Sequence, residues 1–234
     1  MAFRFKQFSV EDYQSSMRIG TDAVLLGAWV NPENGSEILD IGTGCGILAL
    51  MMAQKCNAAI TAIDADENSV YQASGNFRNS PWNGRMNALH CTFQEFAKHS
   101  EEKFSLIITN PPYFSNSLKS PLKSRNTARH DDQLNTHDLL QGVTRISGST
   151  GRFCLILPAE DAKVFQENAK TDNLFLIRQL LIRSKPGSNP KRIAMEFSFS
   201  FPGSVITEEI IIRREDNSFT EAYRDLTQDF YLDF

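Results

Sequence analysis

From Glu37 onward, short apolar runs rich in branched residues alternate with longer segments whose apolar residues recur every three to four positions. The runs Ile38–Ile41, Ala59–Asp64, Met86–Cys91, Phe104–Thr109 and Phe153–Leu157 have strand length, and their near-continuous apolar character predicts strands covered on both faces. Between them, Gly46–Cys56, Asp66–Arg78, Phe93–His99 and Thr136–Ser147 have the length of helices. This alternation predicts a parallel sheet with helices on both sides. After Leu157, a helix over Ala159–Lys170 leads to a Leu174–Arg183 strand. Ile193–Phe201 and Val205–Arg213 then read as two strands joined by the turn Pro202-Gly203-Ser204, an antiparallel finish. A short amphipathic helix over Thr220–Tyr231 follows. Upstream, Thr21 or Asp22 can cap a helix whose apolar face carries Val24, Leu25 and Ala28. No repeat or low-complexity linker interrupts the pattern, so residues 1–234 are expected to form one domain.

Composition narrows this only slightly. With 41% apolar and 22% charged residues, the chain is that of an ordinary soluble domain with a sizeable core. Cys45, Cys56, Cys91 and Cys154 are scattered without a C-x-x-C pair, which favours reduced thiols over a disulfide framework or metal site. The start of the chain lacks the charged and apolar regions of a signal peptide, and no apolar run is long enough to span a bilayer. A cytoplasmic protein without metal or membrane partner is expected. Histidines 90, 99, 130 and 137 show neither metal nor triad spacing.

The chemistry concentrates where strands end. Asp40-Ile41-Gly42-Thr43-Gly44-Cys45-Gly46 turns the first strand into the first helix, and its glycines permit positive φ and close approach by a ligand. The dinucleotide fingerprint needs a glycine where Ile47 stands, and the acid at position 40 would repel a pyrophosphate while suiting a cationic ligand. This disfavours a nicotinamide dehydrogenase. Asp64 ends the second strand, where an acid can accept both hydroxyls of a ribose. At the end of the fourth strand, Asn110-Pro111-Pro112-Tyr113 offers a side-chain oxygen and a stiffly held carbonyl as paired acceptors, with an aromatic ring beside them. Such an arrangement suits a planar amino group.

These three features resemble the motifs of the class I S-adenosylmethionine-dependent methyltransferases. The resemblance implies an α/β, three-layer Rossmann-like fold with a seven-stranded sheet in the order 3-2-1-4-5-7-6, strand seven antiparallel. It implies S-adenosylmethionine as cofactor, with Asp40 and the loop residues Gly42, Thr43, Gly44 and Gly46 at the methionine end and Asp64 and Ala65 at the ribose. Arg18, Thr21 and Asp22, at the exposed amides opening the N-terminal helix, are expected to meet the cofactor's carboxylate. Residues 1–36 are thus a cofactor-covering segment and 37–234 the catalytic core. Where many members carry an acid for the adenine, this chain has Thr92, so that contact is expected to rest on Phe93 and backbone. Asn110, Pro111, Pro112 and Tyr113 are the expected catalytic residues, Asn110 also bordering the cofactor.

Asn-Pro-Pro-Tyr serves methyltransferases acting on adenine N6, guanine N2 or the amide of glutamine. Two connections carry cations without acids: Lys119, Lys123, Arg125 and Arg129 after Tyr113, and Lys185, Lys191 and Arg192 after the sixth strand. Residues 207–234 instead hold eight acids against three basic residues, so the net charge of −4 hides a segregated distribution. Basic loops flanking one cleft suit an RNA backbone. The segments Phe3-Arg4-Phe5-Lys6-Gln7-Phe8, Ile19–Trp29, Asn110–Phe114, Arg129-His130 and Asp229-Phe230-Tyr231 together resemble the YfiC-like bacterial tRNA(Val) adenine-N6 methyltransferases. That likeness implies methylation of adenine 37 in the anticodon loop; a monomer is expected. Guanine N2 of RNA and glutamine N5 of a protein are the alternatives, although the 37 residues before the first strand are few for the helical domain of the glutamine enzymes. A non-catalytic cofactor- and RNA-binding module is the reading from a different class.

Overall fold

The computed structural model describes residues 2–15, 17–32, 37–111 and 134–234. Eight strands form one sheet: β1 (Glu37–Ile41), β2 (Ala59–Asp64), β3 (Met86–His90), β4 (Phe104–Thr109), β5 (Ser147–Pro158), β6 (Phe175–Arg183), β7 (Arg192–Ser198) and β8 (Ile206–Ile211). Their order is β3-β2-β1-β4-β5-β7-β6-β8, with β7 antiparallel to both neighbours and every other pairing parallel. The helices are α1 (Thr21–Trp29), α2 (Ile47–Lys55), α3 (Glu67–Arg78), α4 (Phe93–His99), α5 (Thr136–Ile146), α6 (Ala159–Thr171) and α7 (Glu221–Thr227). Among the described residues no helix is long and apolar enough to cross a membrane.

The pleat divides the apolar strand residues between two cores. Ile38, Leu106, Ile108, Cys154 and Ile156 face α1, α2, α3 and α7, whereas Leu39, Ile41, Ile107, Phe153 and Leu155 face α4, α5 and α6. Each fully buried aliphatic side chain contributes roughly 1.5–3 kcal/mol of transfer free energy. The three-layer arrangement and the order of the first seven strands are those expected.

The finish of the chain differs from expectation. The strands over 193–201 and 205–213 do not form a hairpin, because both edges of β7 are already taken by β5 and β6. β8 instead adds in parallel to the free edge of β6 as an eighth strand. Ion pairs hold it there: Arg178 Nε lies 2.7 Å from Glu208 Oε2 and Arg183 Nε 2.9 Å from Glu209 Oε1. Glu208 also accepts from the Trp29 indole N–H (2.8 Å), tying the edge strand to α1. The helix expected over Thr220–Tyr231 is shorter, with Thr220 as its cap accepting from the Tyr223 N–H (3.2 Å).

Gly46, the residue before α2, has φ +86°, and a Cβ there would lie 2.5 Å from the Phe77 ring of α3. Left-handed strain and overpacking together are worth about 2–4 kcal/mol. Gly46→Ala should therefore lower the melting temperature by about 5–15 °C. Gly84→Ala, where a Cβ meets nothing within 4 Å, should leave it within about 2 °C. Equal melting temperatures for both variants would contradict this packing.

Candidate functional site

Parallel register sets the site. Ile63 of β2, Ile41 of β1 and Thr109 of β4 stand side by side, so the next residues, Asp64, Gly42 and Asn110, emerge together from the carboxyl edge of the sheet. At about 4.8 Å per strand, the three tips lie within about 10 Å. The Thr109 hydroxyl donates to the Ile41 carbonyl (2.8 Å), a side-chain bond that pins β4 against β1 just below the site. Asn110 is half-buried and Pro111 buried.

The glycine loop folds onto this row. Gly42 and Gly44 have φ +66° and +56°. Thr43 N–H donates to the Ile63 carbonyl (3.0 Å) and Gly44 N–H to Asp64 Oδ2 (2.8 Å). Asp64 Oδ1 accepts from the Asp66 N–H (2.9 Å), so both oxygens of the acid are oriented by backbone. A Cβ on Gly42 would meet nothing within 4 Å, which leaves open space beside the loop for a guest. Beneath it Asp40 is fully buried, accepting on Oδ2 from the Thr43 hydroxyl (2.6 Å) and the Ala49 N–H (3.2 Å), while Oδ1 is buried with no partner. Burial pushes its carboxyl up to about 7, and the nearby charge of Asp64 adds to the rise. Asp64 is raised too, chiefly by burial.

Two acids with disfavoured charge and no cation in the loop suit a positively charged guest. A sulfonium and an ammonium fit this set; a diphosphate does not. Asp40 does not grip a ligand as expected, however. Sealed under the loop, it orients Thr43.

The N-terminal segment lies over the loop. Asn76 of α3 accepts from the Glu11 N–H (3.0 Å) and donates to the carbonyls of Glu11 (2.8 Å) and Cys45 (2.8 Å). Gln72 accepts from the Gln14 N–H (3.2 Å), and Ser15 Oγ stands 3.4 Å from Ser69 Oγ and 3.3 Å from the position of a Cβ on Gly44. Ser69, Gln72 and Asn76 are buried polar residues one turn apart on α3. Sequence reasoning missed this strap, though a polar stripe on the inward face of a helix was there to be read.

Other expected residues have different work. Thr92 is the N-cap of α4 in a capping box with Glu95: its hydroxyl accepts from the Glu95 N–H (3.2 Å) and donates to Glu95 Oε2 (2.9 Å). The ring of Phe93 is buried 4% exposed in the core, close enough to α5 that a Cβ on Gly142 would lie 2.4 Å from it, so it offers no stacking face. Ala65 is exposed, and its carbonyl lies 3.1 Å from His90 Nε2. Gly20, not Thr21 or Asp22, is the N-cap of α1. Asp22 cannot turn back to cap because its carboxylate accepts from Arg192 Nε of β7 (2.8 Å). β7 stands three strands from β1, and an acid there would oppose a cofactor carboxylate. Arg192, expected on RNA, is thereby committed to Asp22. Arg18 is exposed and paired with Asp12 (2.9 Å). Lys191 is exposed and Lys185 half-buried in the connection to β7. Pro112, Tyr113, Lys119, Lys123, Arg125 and Arg129 lie outside the described residues. Among the described residues no three His, Cys, Asp or Glu side chains group as a metal site.

Residues 14–131 match the family model of the methyltransferase small domain. A protein of Phocaeicola vulgatus is 44% identical over 230 residues, and one of Bacteroides fragilis 39% over 231 residues; each alignment spans 98% of this chain and 97% of the relative. Both relatives carry the name tRNA1(Val) (adenine(37)-N6)-methyltransferase. Among solved structures, a predicted O-methyltransferase of Agrobacterium tumefaciens shares the fold, with a TM-score of 0.67, 18% identity and coverage of 89% of this chain and 96% of the other.

The Asp40 carboxyl has a direct consequence for stability. Raised from 3.8 to about 7 on folding, it binds more protons in the native than in the unfolded state between those values, so its contribution to stability is lost as pH rises through about 7. Asp40→Asn should accordingly gain on the wild type between pH 5 and pH 8: the melting-temperature difference, variant minus wild type, becomes more positive at pH 8. The same difference at both pH values would mean that Asp40 is not held in this way.

Proposed function

The chain belongs to the family of bacterial tRNA1(Val) (adenine(37)-N6)-methyltransferases, and from that premise we infer that it transfers a methyl group to the exocyclic N6 of adenine 37 in the anticodon loop of tRNA1(Val). S-adenosylmethionine is its cofactor and, when bound, supplies a methyl carried on a sulfonium. Asp64 takes the ribose hydroxyls. The loop Gly42–Gly46 backs the methionine end, with the fields of Asp40 and Asp64 favouring its positive charge. Gly20, Thr21 and the first amides of α1 are offered to its carboxylate. Residues 11–15, hydrogen-bonded across α3 and the loop, cover the cofactor.

The observation that carries this reading is the placement of Asn110 beside the glycine loop by the β1–β4 register. A planar amino group is a poor nucleophile because its lone pair is delocalised into the ring. Asn110 Oδ1 and the Pro111 carbonyl are two acceptors for its two hydrogens, and bonds to both favour a nitrogen with its lone pair out of the ring plane. These residues act by positioning and electrostatics, without a strong general base. Tyr113 follows as a stacking surface for the extruded base. The enzyme works as a cytoplasmic monomer, with the basic residues of the 114–130 connection, Lys185 and Lys191 on the RNA phosphates.

Purified protein, methyl-labelled cofactor and an unmodified tRNA1(Val) transcript should yield N6-methyladenosine at position 37, and a transcript with guanosine at 37 should take up at least a hundredfold less label. Label on the guanosine, or only in protein, would replace adenine with one of the other planar nitrogens.

A further inference from the structure

A second hollow opens along the same sheet edge. It has a volume of about 590 Å³, within the roughly 300–1,000 Å³ range of small-ligand pockets. Its walls come from the two ends of the chain and from the strand tips of β6, β7 and β8: Ser184 follows β6, Arg192 opens the antiparallel β7, and Arg213 lies just beyond β8. The hollow therefore shares the carboxyl edge with Asn110, three strands from β4; its described lining includes no residue of the glycine loop and meets the start of α1 at Thr21 and Asp22.

Its lining is divided chemically. One wall is aromatic: Phe3, Phe219, Tyr231 and Phe234 line it, with Phe3 43% exposed. The rings of Tyr231 and Phe234 are 5.3 Å apart, and Phe3 meets Tyr231 edge-on at 6.1 Å. This wall is fixed from behind, since Lys6 donates through its backbone N–H to the Phe230 carbonyl (2.8 Å) and through Nζ to those of Gln228 (2.6 Å) and Phe234 (2.7 Å). The opposite side is cationic. Four basic residues, Arg4, Lys191, Arg192 and Arg213, line the hollow against two acids, Asp22 and Asp233. Arg192 is tied to Asp22 and Arg213 lies over the Phe219 ring at 4.1 Å, whereas Arg4 and Lys191 are exposed. A chain of net charge −4 has here gathered cations beside a ring cluster whose outermost member, Phe3, is exposed.

We propose that this hollow receives an unstacked nucleotide neighbouring the target adenine in the RNA, its base against Phe3 and Tyr231 and its phosphate against Arg4 and Lys191. The inference rests on the tRNA reading above and adds to it a second subsite. Rings plus cations are the elements by which single-stranded nucleic acid is held, the base by its π-face and the backbone by charge. A subsite set apart from the reacting centre along the same edge draws the loop open and fixes which base reaches Asn110. The bulk of the RNA affinity can lie elsewhere; this site acts on the splayed loop.

Phe3→Ala removes a ring and no charge, at a partly exposed position outside the cofactor site. With unmodified tRNA1(Val) transcript it should raise the KM for RNA about tenfold while leaving kcat within about twofold and cofactor affinity unchanged, as expected for base stacking of about 1–3 kcal/mol. Phe3→Tyr should restore the wild-type KM, which a merely structural aromatic contact at this exposed edge does not require. Transcripts carrying 4-thiouridine in the anticodon loop should crosslink to peptides containing residues 3–4 or 231–234. A wild-type KM in Phe3→Ala, or crosslinks confined to other peptides, would overturn the subsite while leaving the methylation of adenine intact. Failure of the underlying reading looks different: the wild type would bind cofactor yet put no methyl on this tRNA, or would label protein alone, and the subsite would fall with it.

Discussion

The register of three parallel strands is the constraint on which everything else rests. Ile63, Ile41 and Thr109 are paired in one row, so the residues that follow them have no freedom to separate. A slip of one residue in either pairing would turn every buried side chain of that strand to the other face, and both faces here are core. The apolar interior thus enforces the alignment of Asp64, the glycine loop and Asn110. Function follows from packing, because the cost of misaligning the tips is the cost of unmaking the sheet.

Around that row the charges are arranged against themselves. Asp40 is fully buried with one oxygen unpartnered, and Asp64 lies close enough to raise it further. An arrangement this unfavourable for two carboxylates suits a positive charge beside the loop. The acceptor side has the opposite character: Asn110 and the Pro111 carbonyl are neutral oxygens that can orient an amino group without drawing its proton away.

Much of this was legible in the sequence, and the pattern of success has physical reasons. The positions of the loop, Asp64 and Asn110 at the strand tips could be read because each depends on neighbours within a few residues and on the alternation that sets the sheet. β8 could not be placed, since whether β7 has a free edge is a property of the whole sheet. Asp40 was assigned to the ligand because sequence shows an acid before a glycine loop but not its depth. Thr92 was readable and was missed: Thr92-Phe93-Gln94-Glu95 is a capping-box pattern. The strap on α3 and the aromatic wall join segments distant in the chain, and only the fold brings them together.

Separate roles for adjacent strand tips are the central claim, and paired measurements of turnover and cofactor affinity on two single variants test it most directly. Asn110→Ala should lose at least about a hundredfold in kcat, as when a positioned polar contact to the reacting group is removed, with the cofactor dissociation constant within a few fold of wild type. Asp64→Ala should weaken cofactor binding instead. Near-normal turnover in Asn110→Ala, or intact cofactor binding in Asp64→Ala, would contradict the account.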